Sequence, residues 1–298
     1  MTPLIRCGDP IAVVAPCGIH DPARLERGLE IARARGHNLV LFPDLLRPHR
    51  YLASDDGHRV AQLTEALSSP EWAAVWITRG GYGLTRILER IDPARVRPKP
   101  IIGFSDLTAL FCALQPHPVG PFIHGPVVHS LPVTDAGSVD ALFDLLAGHP
   151  PPPFTGQTWV EGEATGPVWG GNLSLLAALC GTPWQLDARG AILMIEEVGE
   201  APYRVDRLLQ QLLSSGQFSG VTGIGVGQLD GCAPPDGAAW TMRELFVEML
   251  APLGVPIVGD LPFGHGASNR AFPLGGVGRI ADGSISFSPV APIARPGV

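Results

Sequence analysis

Lysine is almost missing from this 298-residue chain. Lys99 is the only one, and arginine supplies nearly all the other positive charge. The net charge is -7 and only 16% of residues are charged. A nucleic-acid partner favours a basic face, so this balance argues against one. Long apolar runs are missing too. Near the start of the sequence Ile11–Ala15 is a run of only five residues, too short for the core of a secretion signal and far too short for a membrane span. A cytoplasmic protein with no membrane partner is therefore expected. Paired cysteines are absent as well: Cys7, Cys17, Cys112, Cys180 and Cys232 are scattered, with no C-x-x-C among them. That excludes a disulfide framework and the usual zinc-ribbon spacing, and fits reduced thiols. There is no H-E-x-x-H, and His124 and His129 have Pro126 between them, which makes a poor helical metal pair. No metal and no cofactor are expected.

Glycine and proline, by contrast, are plentiful, with 37 and 31 residues against a hydrophobic content of 45%. This composition fits a compact, loop-rich α/β protein, and the length allows two domains. The first half alternates apolar runs with amphipathic ones. Ile11–Pro16, Asn38–Phe42, Ala73–Thr78 and Ile101–Phe104 read as buried strands, each followed by a helical pattern. Asp21 and Pro22 open one helix as N-cap and first residue, and Gly36 stops it. Such alternation predicts a mostly parallel, Rossmann-like sheet covered on both faces. Four prolines, Pro150–Pro153, then mark a boundary. The expected division is an N-terminal α/β domain over 1–148, a proline-rich linker over 149–163 and a C-terminal α/β domain over 164–298. In the last of these, strands are expected at 163–169, 191–196, 221–229 and 255–260, helices from Asn172, at Tyr203–Ser215 and at Trp240–Leu250, and two short strands near the end.

Ser105 is the first candidate for chemistry. In Gly103-Phe104-Ser105-Asp106-Leu107 a strand should end near Phe104 and a helix begin near Asp106. A serine at that turn can raise its hydroxyl above the sheet and leave the Asp106 N–H to bind an oxyanion. The G-x-S-x-G form is incomplete, because Leu107 replaces the second glycine, and an ordinary helix cap explains the serine on these residues alone. A nucleophilic serine needs a base and a group to orient it. Glu196-Glu197 follow an apolar strand, and His265 lies between two glycines; His124 is its rival. The Thr78–Leu88 run, containing Arg79-Gly80-Gly81-Tyr82-Gly83, follows a strand like a phosphate-binding loop. It fails both G-x-G-x-x-G and the P-loop pattern. Its flexible backbone could supply a second oxyanion donor, or bind a nucleotide or other ligand without catalysis. The Gly223–Gly227 run reads as strand packing.

Taken together, RGGYG (79–83), GFSDLTAL (103–110), HGP (124–126), WGGNLSLLAALCGTPW (169–184), IEEVGEAPYRVDRLLQQL (195–212) and DLPFGHG (260–266) resemble the LD-carboxypeptidases, in order and over essentially the whole chain. These are serine peptidases that include muramoyltetrapeptide carboxypeptidase and microcin-immunity peptidases. The resemblance implies a Ser–Glu–His triad at Ser105, Glu196 and His265, with the serine on the first domain, the other two on the second, and the active site at their interface. It implies oxyanion donors at the backbone N–H groups of Asp106 and Gly81, and a homodimer. Cys17 departs from the family, where serine is common at this place. Arg79, Asn172 and Arg204 are the candidates for holding the substrate. The implied activity removes the C-terminal D-alanine from a muropeptide tetrapeptide in cell-wall recycling. The alternatives are a microcin-immunity-type peptidase or amidase, and, from another class, the non-catalytic ligand-binding module built on the glycine loop.

Overall fold

A computed structural model describes residues 2–290 and divides the chain into two compact units. The first holds the residues up to Pro151 together with Arg270–Pro273. It begins with β1 (Pro10–Val14), α1 (Pro22–Arg33), β2 (Asn38–Leu41), α2 (Asp56–Ser68), β3 (Ala74–Ile77) and β4 (Ile101–Gly103). Helix α3 (Leu107–Leu114), β5 (Phe122–His124) and α4 (Ala136–Leu146) follow. Asp21 caps α1 as expected, accepting from the Ala23 N–H at 2.8 Å, which satisfies an amide that the helix cannot.

One expected helix does not form. After β3 the chain makes three short 3-10 turns, Leu84–Arg86, Leu88–Arg90 and Pro93–Arg95. Gly83, at φ 139°, lies outside helical space just before the first, and Asp92-Pro93 restarts the last. Proline lacks the N–H that a continuing helix needs.

The second unit comprises Pro152–Asn269 and Leu274–Ser288. It opens with β6 (Phe154–Thr155) and β7 (Gln157–Val160), so the expected linker over 149–163 is irregular only in part. Phe154 and Trp159 are buried, which draws the segment into the core as strands rather than a spacer. Then come β8 (Ala164–Asn172), α5 (Leu173–Ala178), β9 (Ile192–Val198), α6 (Pro202–Ser214), β10 (Gly223–Asp230), α7 (Met242–Leu250) and β11 (Ile257–Gly259). Among the described residues three strands, not two, follow: β12 (Phe272–Leu274), β13 (Val277–Ala281) and β14 (Ser284–Phe287). The expected C-terminal domain over 164–298 therefore gives up Arg270–Pro273 to the first unit.

The first sheet has the order β12-β5-β4-β3-β1-β2, and its β2–β1–β3–β4–β5 pairs are all parallel. Strand order reverses between β1 and β3, and ligands of open α/β sheets collect outside the carboxyl ends of strands at such a point. The second sheet runs β6-β14-β13-β8-β9-β10-β11-β7. Its centre, β8–β9–β10–β11, is parallel, with antiparallel strands on both sides. The register sets Asn172 opposite Glu196. The mixed α/β class expected from the alternation is thus the architecture observed. No helix among the described residues is long and apolar enough to cross a membrane.

Candidate active site

Ser105 follows β4 at φ 65°, a left-handed conformation unusual for a residue with a side chain. Such a backbone costs about 1–2 kcal/mol and persists where the surroundings fix it. It also bears on the ordinary helix-cap reading. The position preceding α3 belongs to Asp106, with no side-chain cap bond, whereas a capping residue has extended backbone. Helix α3 is built entirely of buried or half-buried residues, so it anchors the turn firmly, and its first amides, of Leu107, Thr108 and Ala109, donate back to the Phe104, Ser105 and Asp106 carbonyls at 3.3, 3.0 and 3.1 Å.

Gly80 presses against this turn. A Cβ placed there would lie 2.8 Å from Ser105 Cβ and 3.0 Å from Ser105 Oγ, so the close approach requires glycine. The Gly80 carbonyl accepts from the Gly18 N–H at 3.1 Å, tying the loop after β3 to the loop after β1. Gly81, the expected oxyanion donor, is exposed next to it. Arg79 donates from its guanidinium to the Ile19 carbonyl. His20 and His129 lie within its electrostatic reach and are held below the ordinary imidazole range, His129 at about 4, by burial first and by neighbouring arginines next.

In the second unit, β9 delivers two adjacent carboxylates to opposite faces, as strand alternation requires. Glu197 is buried and accepts four hydrogen bonds: Asn172 Nδ2 at 3.1 Å, Val198 N–H at 2.9 Å, Ser174 N–H at 2.7 Å and Ser174 Oγ at 2.6 Å. That satisfaction gives Glu197 a scaffold role at the start of α5. Glu196 is fully buried, and its Oε2 lies 2.7 Å from His265 Nδ1. Burial alone would lower the His265 pKa. The Glu196 hydrogen bond and the charges of Glu196, Glu197 and Asp230 reverse this and raise it above its ordinary value.

Two residues missed in the sequence hold the His265 loop. Gln228 Oε1 accepts from the Gly266 N–H at 2.7 Å, and the Gln228 N–H donates to the Phe263 carbonyl at 2.8 Å. Asn269 Oδ1 accepts from the Gly264 N–H at 3.3 Å. Gln228 falls inside the run that ends the Gly223–Gly227 strand, where polar character was the only available signal. The glycines of that strand do serve packing, since a Cβ on Gly223 or Gly225 would collide with Ile280, Met194 or Ile285 side chains. A cavity of about 930 Å³ opens beside the His265 loop, lined in part by Gln228, Asp230, Trp240, Pro262 and Gly266.

The remaining candidates separate clearly. His124 is fully buried, stacked on Phe272 at 4.7 Å and edge-on to Phe104 at 5.9 Å, a core placement. Asn172 is buried and spent on scaffolding: Oδ1 accepts from the Leu175 N–H at 3.2 Å and Nδ2 serves Glu197. These bonds make Asn172 part of the scaffold around Glu197 and α5. Arg204 lies exposed at the start of α6, with its partners in Tyr203 and Glu200 at 3.3 and 3.4 Å. No group of three or more His, Cys, Asp or Glu among the described residues is arranged to hold a metal ion.

Residues 11–125 match the LD-carboxypeptidase N-terminal domain and residues 165–280 the LD-carboxypeptidase C-terminal domain. The chain belongs to the LD-carboxypeptidase family. Murein tetrapeptide carboxypeptidase of Pseudomonas aeruginosa is 35% identical over 280 residues, covering 89% of this chain and 91% of that protein. A Synechocystis protein with a carboxypeptidase name, slr1534, is 37% identical over 288 residues and 95% of both chains. The crystal structure of muramoyltetrapeptide carboxypeptidase from Oxalobacter formigenes superposes with a TM-score of 0.81 at 29% identity, over 95% of this chain and 99% of that one. An MccF-like protein of Bacillus anthracis reaches 0.83 at 23% identity, which shows a common fold alone.

Proposed function

We propose that this protein is a serine LD-carboxypeptidase that removes the C-terminal D-alanine from muropeptide tetrapeptides in cell-wall recycling. Ser105 Oγ attacks the carbonyl of the bond joining an L-configured centre to the terminal D-residue. His265 takes the serine proton and returns it to the leaving amine. Glu196 fixes the imidazole tautomer through Nδ1 and stabilises the imidazolium that forms. The backbone N–H groups of Asp106 and Gly81 receive the developing oxyanion. Water then cleaves the acyl-enzyme, with His265 as base, and frees the shortened peptide. Of the three candidate substrate ligands, Arg79 is kept for the substrate's free carboxylate, because its loop carries Gly80 against Ser105. A cytoplasmic homodimer belongs to the same proposal, and sedimentation velocity would measure the assembly.

The observation that carries the proposal is the Glu196–His265 pair: a buried carboxylate aligned on a half-buried imidazole whose pKa it raises. Incubation with a muramoyl tetrapeptide, followed by mass, is the test. Loss of one D-alanine by the wild type and none by a folded Ser105→Ala protein is expected. Full release by Ser105→Ala overturns the assignment. An unchanged tetrapeptide together with cleavage of an aminoacyl-nucleotide substrate would replace the peptide substrate with that of the MccF type.

A further inference from the structure

One buried peptide bond in the first unit is gripped at both ends. The Gly83 carbonyl accepts from Arg59 Nη1 at 3.0 Å, and the Leu84 N–H of that same peptide donates to Asp106 Oδ2 at 2.9 Å. Arg59 Nη1 also donates to the Pro16 carbonyl, and its Nη2 reaches Asp56 Oδ1 at 2.6 Å. Arg59 and Asp106 are both 0% exposed. Gly83 is needed for the grip: it adopts φ 139°, and a Cβ there would lie 2.6 Å from Arg59 Nη1.

Burying a guanidinium and a carboxylate is costly unless their hydrogen bonds do something a hydrophobic pair cannot. Here they join three loops at the carboxyl ends of β1, β3 and β4. Pro16 belongs to the first loop, Gly83 and Leu84 to the second, and Asp106 to the third, one residue after Ser105. The second loop is the one whose Gly80 presses on Ser105. Its glycines give it backbone freedom, so something outside it must set its conformation. The Asp106 carboxyl is pushed up by burial, partly offset by the Leu84 N–H, the Cys17 thiol and the Arg59 charge.

We infer that Asp106 and Arg59 are positioning residues: by fixing the Gly83–Leu84 peptide at both ends, they hold the glycine loop in register with Ser105. The inference deepens the proposed activity, on which its kinetic part rests, since the loop then presents the second oxyanion donor.

The test uses the full chain with Asp106→Ala, Asp106→Asn and Arg59→Lys. Asp106→Ala is expected to lower kcat by about 100-fold, the scale of one lost oxyanion donor, with KM changed by less than about threefold, because only the transition state feels the loss. Asp106→Asn keeps an acceptor for the Leu84 N–H and recovers at least about tenfold of that loss. Arg59→Lys keeps the charge without the planar fork and gives a smaller loss of the same kcat-only kind. Hydrogen exchange at the Leu84 amide is read in parallel, needs no substrate, and should quicken at least about tenfold in Asp106→Ala. A folded Asp106→Ala protein with wild-type kcat and unchanged exchange overturns the inference. So does a loss explained wholly by fewer Ser105 sites in phosphonate titration. If Asp106→Ala does not fold, Arg59→Lys decides by the same two readouts. Failure of the wild type to release D-alanine would remove the proposed activity while leaving the exchange result to judge the clamp.

Discussion

Ser105 stands on a strained left-handed turn packed against a glycine loop, whereas His265 stands on a loop held by side-chain hydrogen bonds. In the first region the geometry is written in the main chain, in φ 65° at Ser105, the missing Cβ of Gly80, and the Gly83–Leu84 peptide that Arg59 and Asp106 hold. In the second the decisive atoms belong to Glu196, Gln228 and Asn269. A nucleophile needs first of all a fixed place. A base needs a tuned proton affinity as well, which at His265 the Glu196 hydrogen bond and the nearby carboxylates raise against the effect of burial. The two regions should therefore fail in different ways when altered.

The largest effect is expected from His265→Ala, which should cut kcat for D-alanine release by about a million-fold, the cost of losing the base of a serine triad. Glu196→Gln should come next, with a loss of about 10,000-fold from the wrong imidazole tautomer. It should also shift the pH profile. With His265 as the base, wild-type activity is expected to rise as His265 deprotonates, above its ordinary pKa, since the raised value keeps it protonated longer. With the carboxylate neutralised, burial dominates and the pKa falls, so the acid limb of the residual rate moves to lower pH. Gly80→Ala should cost about 100–1,000-fold by displacing the oxyanion geometry, and here the limb should stay in place. A pH shift in Gly80→Ala, or none in Glu196→Gln, would break the contrast between the regions. The smallest effect concerns stability: Ser105→Gly should raise it by about 1 kcal/mol in urea unfolding, by relieving the left-handed backbone.

Much of this was legible in the sequence because it is local. Apolar runs such as Ile11–Val14 and Ile192–Ile195 mark strands by themselves, and Asp21-Pro22 marks a helix start. Ser105, Glu196 and His265 stood out because each follows such a run or lies within a short motif. What escaped depends on partners distant in the chain. Arg59 reads as an ordinary charged helix residue until Pro16 and Gly83 close around it, 43 and 24 positions away. Gln228 gains its meaning only when Gly266, 38 positions on, donates to it. Asn172 carried the same polar signal as a ligand would, yet Glu197 and α5 consume it. The return of Arg270–Pro273 to the first unit has no local signature, since β12 is short and its neighbour in the sheet is β5.

The central claim is that Ser105 is the nucleophile and that His265 activates it. The most direct measurement is the mass-mapped adduct formed with a serine-reactive phosphonate, followed in time in the wild type, Ser105→Ala and His265→Ala proteins. One adduct is expected on the peptide carrying Ser105, absent in Ser105→Ala and slowed at least about 1,000-fold in His265→Ala. Labelling elsewhere, or at an undiminished rate without His265, would contradict it.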